Sequence, residues 1–209
     1  MRLSGFIGIF SMYFYTTLCF GNDTSEYYLQ VHFLYGSKPS KALKDLEPKW
    51  FGGIHGGHVG LGLDSNKILN FMPSGKIKIF GTKSGDHGVF IVDNLKEFRE
   101  SVGGETDSNH WVTFLIPITL KQARVFDSIF NEYLKVTPYD YAFFGMRCGA
   151  AAYDVAAKCG IVKEYSYSGT WIRIFYPKIW RRKLFKMAKK NNWQIQSHSG
   201  TPRRVWEKD

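Results

Sequence analysis

The chain has 209 residues, of which 44% are apolar and 22% charged. That length supports one sizeable core, and the apolar share excludes an intrinsically disordered chain. The 28 Lys and Arg exceed the 18 Asp and Glu, but unevenly: residues 22–170 balance at 16 of each, whereas residues 171–209 hold 11 basic and 2 acidic side chains.

The first element reads as an export signal. Arg2 precedes an apolar run over residues 6–20, shorter than the roughly 20 residues that span a bilayer. Cys19 and Gly21 stand at the −3 and −1 positions of a small-x-small cleavage site. Residues 1–21 are therefore expected to be a signal peptide and residues 22–209 a single exported domain, periplasmic or secreted. An uncleaved anchor and lipidation at Cys19 are the alternatives, although Leu18 stands where a lipobox requires a small residue.

Residues 27–34 alternate and are rich in β-formers, which predicts a strand ended by Gly36-Ser37-Lys38-Pro39. Residues 40–50 are polar, with room for one short helix. Residues 52–58 contain four glycines and permit a sharp bend or a close approach to the backbone. Residues 58–63 and 67–72 read as the strands of a hairpin around Asp64-Ser65-Asn66, and residues 76–80 as a third strand. Residues 89–110 are mixed. Residues 111–117 predict a strand. Thr119 is placed to cap a helix to about Val136, with Ala123, Phe126, Phe130 and Leu134 on its apolar face. An irregular stretch over 139–147 leads to a helix from Cys148 to Cys159, with five alanines and Gly160 as terminator. Residues 171–190 predict one more helix, followed by a polar tail. Strands early and helices late give an α+β class with a mainly antiparallel sheet.

Cys148 and Cys159 are eleven positions apart in one predicted helix, roughly 16 Å along its axis. A disulfide tolerates only about 7 Å between α-carbons, so both are expected as free thiols. Cys148 opens its helix, where unpaired N–H groups and the helix dipole stabilise a thiolate or a developing oxyanion. A thiol nucleophile needs a base and a group to orient that base. His58 opens the hairpin and Asn70 lies on its return strand. A small apolar filler at a helix start, a strand-end histidine and an edge asparagine are the bland alternatives.

His58-Val59-Gly60-Leu61-Gly62-Leu63-Asp64 followed by Lys67-Ile68-Leu69-Asn70-Phe71-Met72-Pro73 resembles the histidine hairpin of circularly permuted NlpC-like papain-fold proteins, among them the lecithin:retinol acyltransferase-like group. In that group a catalytic His starts a strand and a second polar residue, often His, follows twelve positions later. The nucleophilic cysteine comes afterwards at a helix start, which Tyr139-Asp140-Tyr141 through Arg147-Cys148-Gly149-Ala150-Ala151 resembles. In papain the cysteine precedes the histidine; permutation reverses the order, as here. The resemblance covers about residues 27–161. It implies a papain-like antiparallel sheet packed with helices, and a thiol hydrolase or acyltransferase with Cys148 as nucleophile, His58 as base and Asn70 as orienting group. Arg147 stands where the group often has Asn, and Asn70 where it often has His. The implied substrate is an amide or ester in a cell-envelope peptide or lipid; an inactive binder of the same fold is the alternative.

No cofactor is expected. His55, His58 and His87 or Cys148 raise the question of zinc, but the glycine loop supplies neither helical His spacing nor a closed ligand set, so no metal site is expected either. Residues 171–190 interleave Trp171, Trp180 and Phe185 with Arg and Lys, which suggests an interfacial helix on an anionic membrane; the alternative is a helix whose aromatics close the core. Nucleic acid is not an expected partner of an exported chain.

Overall fold

The computed structural model describes residues 27–50 and 57–209. The expected signal segment with Cys19, and residues 51–56 with His55 and most of the glycine stretch, lie outside the described residues.

Strand β1 (Tyr27–Leu34) forms where the sequence alternates, and it becomes the middle of the molecule. It pairs with β3 (His58–Gly62) on one side and β7 (His110–Ile118) on the other. Strand β4 (Ile68–Pro73) returns from β3, β6 (Gly88–Asp93) follows β4, and β9 (Gln194–Ser199) lies beyond β7. The order is β6-β4-β3-β1-β7-β9, with every pairing antiparallel. Two short pairs stand outside this sheet: β2 (Ser37–Pro39) with β10 (Arg204–Trp206), antiparallel, and β5 (Lys78–Phe80) with β8 (Ala142–Phe144), parallel.

The two-residue period of the strands divides the sheet into faces. Val31, Phe33, Val59, Leu61, Leu69, Phe71 and Phe114 belong to the main core, under α2 (Leu120–Lys135), α3 (Cys148–Lys158) and α5 (Pro177–Asn191). Leu34 and Ile68 point the other way and pack on Phe98 and Val102 at α1 (Leu95–Glu100). The chain is thus a mixed α+β protein, its sheet antiparallel and six-stranded; the fifth helix is α4 (Tyr167–Arg173).

Thr119 caps α2 in a capping box with Gln122. The buried stripe of α2 is Ala123, Phe126, Ile129 and Tyr133; the expected Phe130 is only half-buried and Leu134 exposed. Every residue of α3 from Cys148 to Ala157 is buried. Its alanines allow that close approach to the sheet, and Gly160, at φ +71°, ends it as the left-handed residue after the cap.

The structure refines four stretches. Residues 89–110 contain β6 and α1, the latter started by an Asn94–Glu97 capping box. The irregular stretch before Cys148 contains β8. The helix expected within residues 171–190 is α5: α4 ends at Arg173 and Pro177 opens α5, because proline suits the first helical turn and not an interior. The polar tail is ordered into β9 and β10, and Arg181, fully buried, is paired with Glu207 at 2.8 Å and Asp209 at 2.6 Å. Among the described residues no helix is long and apolar enough to cross a membrane.

Candidate thiol–imidazole site

The site forms where α3 begins against the open end of the β3–β4 hairpin. The two strands pair at Gly60–Asn70 and Leu61–Leu69 and no further toward His58. The Cys148 sulfur lies beside the unpaired main chain there. Its Sγ is 3.9 Å from the Gly57 carbonyl oxygen, and the Val59 N–H donates to the sulfur. These groups flank His58 on either side, so the fold brings the thiol to the backbone around the histidine, Cys148 and Gly57 being 91 positions apart.

Gly57 is fixed by this geometry. Its φ is +86°, and a Cβ there would stand 2.3 Å from the Leu34 carbonyl oxygen. Only glycine adopts this turn without strain while its carbonyl meets the sulfur.

The His58 ring lies on the α1 face of β3, stacked on Phe98 with ring centroids 5.4 Å apart. Its Nε2 is 2.9 Å from Asn70 Oδ1. The amide orientation follows from the other end of Asn70: Nδ2 donates to Asp93 Oδ2 at 3.0 Å and to the Ile68 carbonyl at 3.3 Å. A flipped amide would set its oxygen against a carboxylate. Nε2 therefore carries the proton, and Nδ1 of the neutral ring keeps the lone pair.

Both groups are neutral at pH 7. Burial lowers the His58 pKa to about 4, against the opposing effect of the Asn70 hydrogen bond. Burial also raises the Cys148 thiol above its ordinary value, although the Tyr141 hydroxyl, Arg147 and the N–H groups of Gly149 and Val59 all favour the thiolate. Tyr141 is itself buried, with a pKa raised far above the ordinary phenol by desolvation. It therefore remains a hydrogen-bond donor at any ordinary pH.

The Arg147 side chain, at the position where the resembled group often has Asn, does not cap α3. Its guanidinium donates to the Phe175 carbonyl and lies 4.0 Å from the Phe175 ring centroid. The first turn of α3 has no side-chain cap, and the Gly149 N–H donates to the sulfur. Asp140, one residue before Tyr141, anchors this approach. Its enclosed carboxylate accepts from the Ser84 hydroxyl at 2.9 Å and the His87 N–H at 3.1 Å, and from the Thr82 hydroxyl. These bonds hold its pKa well below the usual carboxylate range, against the cost of burial.

Cys159 caps the far end of α3, and desolvation pushes its thiol to about 12. The two described cysteines are both free and buried. Among the described residues no group of three His, Cys, Asp or Glu is placed to hold a metal. A cleft of about 730 Å³, lined by Lys38, Lys41, Lys44, Lys49 and Trp50, contains none of Cys148, His58 and Asn70. Tyr141, Asp93 and Phe98 were not anticipated as site residues. Tyr141 fell inside the quoted cysteine block, and nothing local in the sequence marks the other two. Comparison with protein-family models, curated proteins and solved structures gives no significant match.

Proposed function

We propose that this chain is an exported thiol hydrolase or acyltransferase of the permuted, papain-like NlpC type, acting on an amide or ester of a cell-envelope peptide or lipid. The observation that carries the proposal is the hydrogen bond between His58 Nε2 and Asn70 Oδ1, on a histidine whose flanking backbone meets the Cys148 sulfur. Asn70, held by Asp93, accepts a hydrogen bond from Nε2–H, which leaves Nδ1 as the acceptor on the residue whose flanking backbone Cys148 touches. With both groups neutral at rest, Cys148 gives its proton to Nδ1 as sulfur attacks the carbonyl carbon. The oxyanion is stabilised by N–H groups at the start of α3. His58 then returns the proton to the leaving amine or alcohol, and a thioester remains on Cys148. Water or another acceptor resolves it.

The test is acylation of the full chain by an activated ester, followed by intact mass and peptide mapping. A hydroxylamine-sensitive adduct on Cys148, absent in Cys148→Ser and slowed in His58→Ala, is the expected result. A second possibility is an inactive binder of the same fold. It is favoured by the enclosure of both groups, His58 at 1% and Cys148 at 3% exposure. A wild-type chain that takes no acyl group at Cys148 selects the binder.

A further inference from the structure

The sequence directs attention to residues 171–190 as an apolar, basic surface, but Trp180 and Leu184 are fully buried and Trp171 and Phe185 pack against the main core. The exposed apolar side chains are elsewhere. The β5–β8 pair, outside the main sheet, carries Ile79 at 66% exposure, Phe80 at 71% and Phe143 at 47%. Phe80 stacks on Phe144 at 5.5 Å. Phe143 meets Phe144 at 4.9 Å and Phe175 at 5.7 Å. Scattered surface hydrophobes need no explanation, but a contiguous ring cluster marks a binding surface.

The segments that carry this cluster hold charge of one sign. Segments 76–83, 142–147 and 172–178 carry Lys76, Lys78, Lys83, Arg147, Arg173 and Lys178, and no Asp or Glu. Lys78 is paired with the enclosed Asp140 at 3.3 Å. Lys76, Lys83 and Arg173 are exposed, and none has an ion-pair partner among the described residues. Side chains this exposed stand out from the surface instead of lining a groove. Projecting aromatic rings within a basic rim match the interface of an anionic bilayer, where rings sit at headgroup depth and cations meet lipid phosphate. Phe144 is four positions before Cys148, so a bilayer seated here lies beside the start of α3.

We propose that the β5–β8 ribbon, with Phe80, Phe143 and Phe144 at its centre, docks the protein on an anionic lipid surface. This does not depend on the catalytic assignment, because lipid contact is read without turnover. The test uses the full chain with Phe80→p-benzoylphenylalanine, or with the same photo-reactive residue at Ile195 on β9, irradiated with phosphatidylcholine vesicles with and without phosphatidylglycerol. Lipid adducts are expected from position 80, several-fold more with phosphatidylglycerol, and not from position 195. Lys76→Glu with Lys83→Glu should lower the yield at position 80 several-fold, with an unchanged circular dichroism spectrum. No lipid adduct at position 80, adducts that ignore lipid charge, or cross-links from position 80 to a second copy or to residues 1–26 would overturn the proposal.

Discussion

Asn70 holds His58 from one side of its amide and Asp93 from the other, at 2.9 and 3.0 Å. One side chain thus links β3, β4 and the end of β6 and chooses the imidazole tautomer. Asn70→Ala leaves the buried Nε2–H without an acceptor, which costs about 1–3 kcal/mol, and frees the ring to take the other tautomer. Acylation of Cys148 should slow by roughly 10²-fold, the lower range for loss of acid–base assistance, while Asn70→His, which can accept from Nε2–H, should restore most of the rate. Equal rates in Asn70→Ala and wild type would remove Asn70 from the site.

The pH dependence of stability follows from His58 and His32. Burial lowers His58 to about 4 and His32 to about 3. In the unfolded chain both titrate near 6.5, so between pH 6.5 and 4 the unfolded state binds more protons and stability falls as the pH falls. The His58 shift alone corresponds to roughly 3 kcal/mol. Urea midpoints should be level from pH 8 to 7 and then drop steadily toward pH 4, with a smaller drop in His58→Gln. A midpoint unchanged at pH 4.5 would contradict the enclosure of both rings.

The same protonation states shape reactivity. On the proposed mechanism, a neutral His58 base with a pKa near 4 and a Cys148 thiol raised by burial imply acylation that holds constant over a broad range, with its acid limb near pH 4 and its alkaline rise above the ordinary thiol range. Cys159, at about 12, should stay unlabelled in the native chain and react only after unfolding. Iodoacetamide that labels both thiols equally at pH 7 would argue against any difference in environment.

What could be read from sequence was what local pattern controls. Strand alternation gave β1, β3, β4 and β7, and side-chain chemistry gave the Thr119 cap and the Gly160 terminator. The His58 and Asn70 pairing was expected from their places on the two strands of one hairpin, and the start of a helix at Cys148 from the irregular stretch before it. The missing parts depend on distant partners. Strand β9 reads Gln-Ile-Gln-Ser-His-Ser, mostly exposed, and has no apolar period; it is a strand because β7 offers it an edge. Strand β8 exists because β5 lies beside it. Asp93 joins the site through Asn70 and Phe98 through a ring stack, neither of which any periodicity encodes. The Asn94–Glu97 box was readable by the same rule as Thr119 and was obscured by the mixed residues around it.

The ordered C-terminal segment predicts its own energetics. Arg181 is fully buried, lies 3.6 Å over the Tyr35 ring centroid and donates to Glu207 and Asp209. Removing one partner of a buried ion pair costs about 3–5 kcal/mol, because the remaining charge keeps its desolvation penalty. Asp209 stays in Glu207→Ala, so about 3 kcal/mol is expected, a fall in Tm of roughly 10 °C for a domain of this size. Arg181→Met with Glu207→Leu removes both charges and should recover part of that loss. If Glu207→Ala melts with wild type, the pair contributes nothing.

Gly57 offers the sharpest separation of folding from chemistry. Gly57→Ala would place a methyl group 2.3 Å from the Leu34 carbonyl oxygen in a backbone with φ +86°. Neither the main chain of β1 nor the conformation of residue 57 relaxes cheaply, so local strain of about 1–3 kcal/mol is expected. The strained peptide carries the carbonyl that meets the Cys148 sulfur and precedes His58 directly. A shift there displaces base and nucleophile relative to each other, and a misplacement of about 1 Å can lower a rate by roughly 10²-fold. Gly75→Ala is the control: its φ is +78°, but a Cβ there meets nothing within 4 Å, and it lies in the turn after β4. Both variants should lose stability, while only Gly57→Ala should lose acylation at Cys148 beyond its folded fraction. Matching losses of activity in the two would mean that the Gly57 carbonyl does not set the position of the thiol.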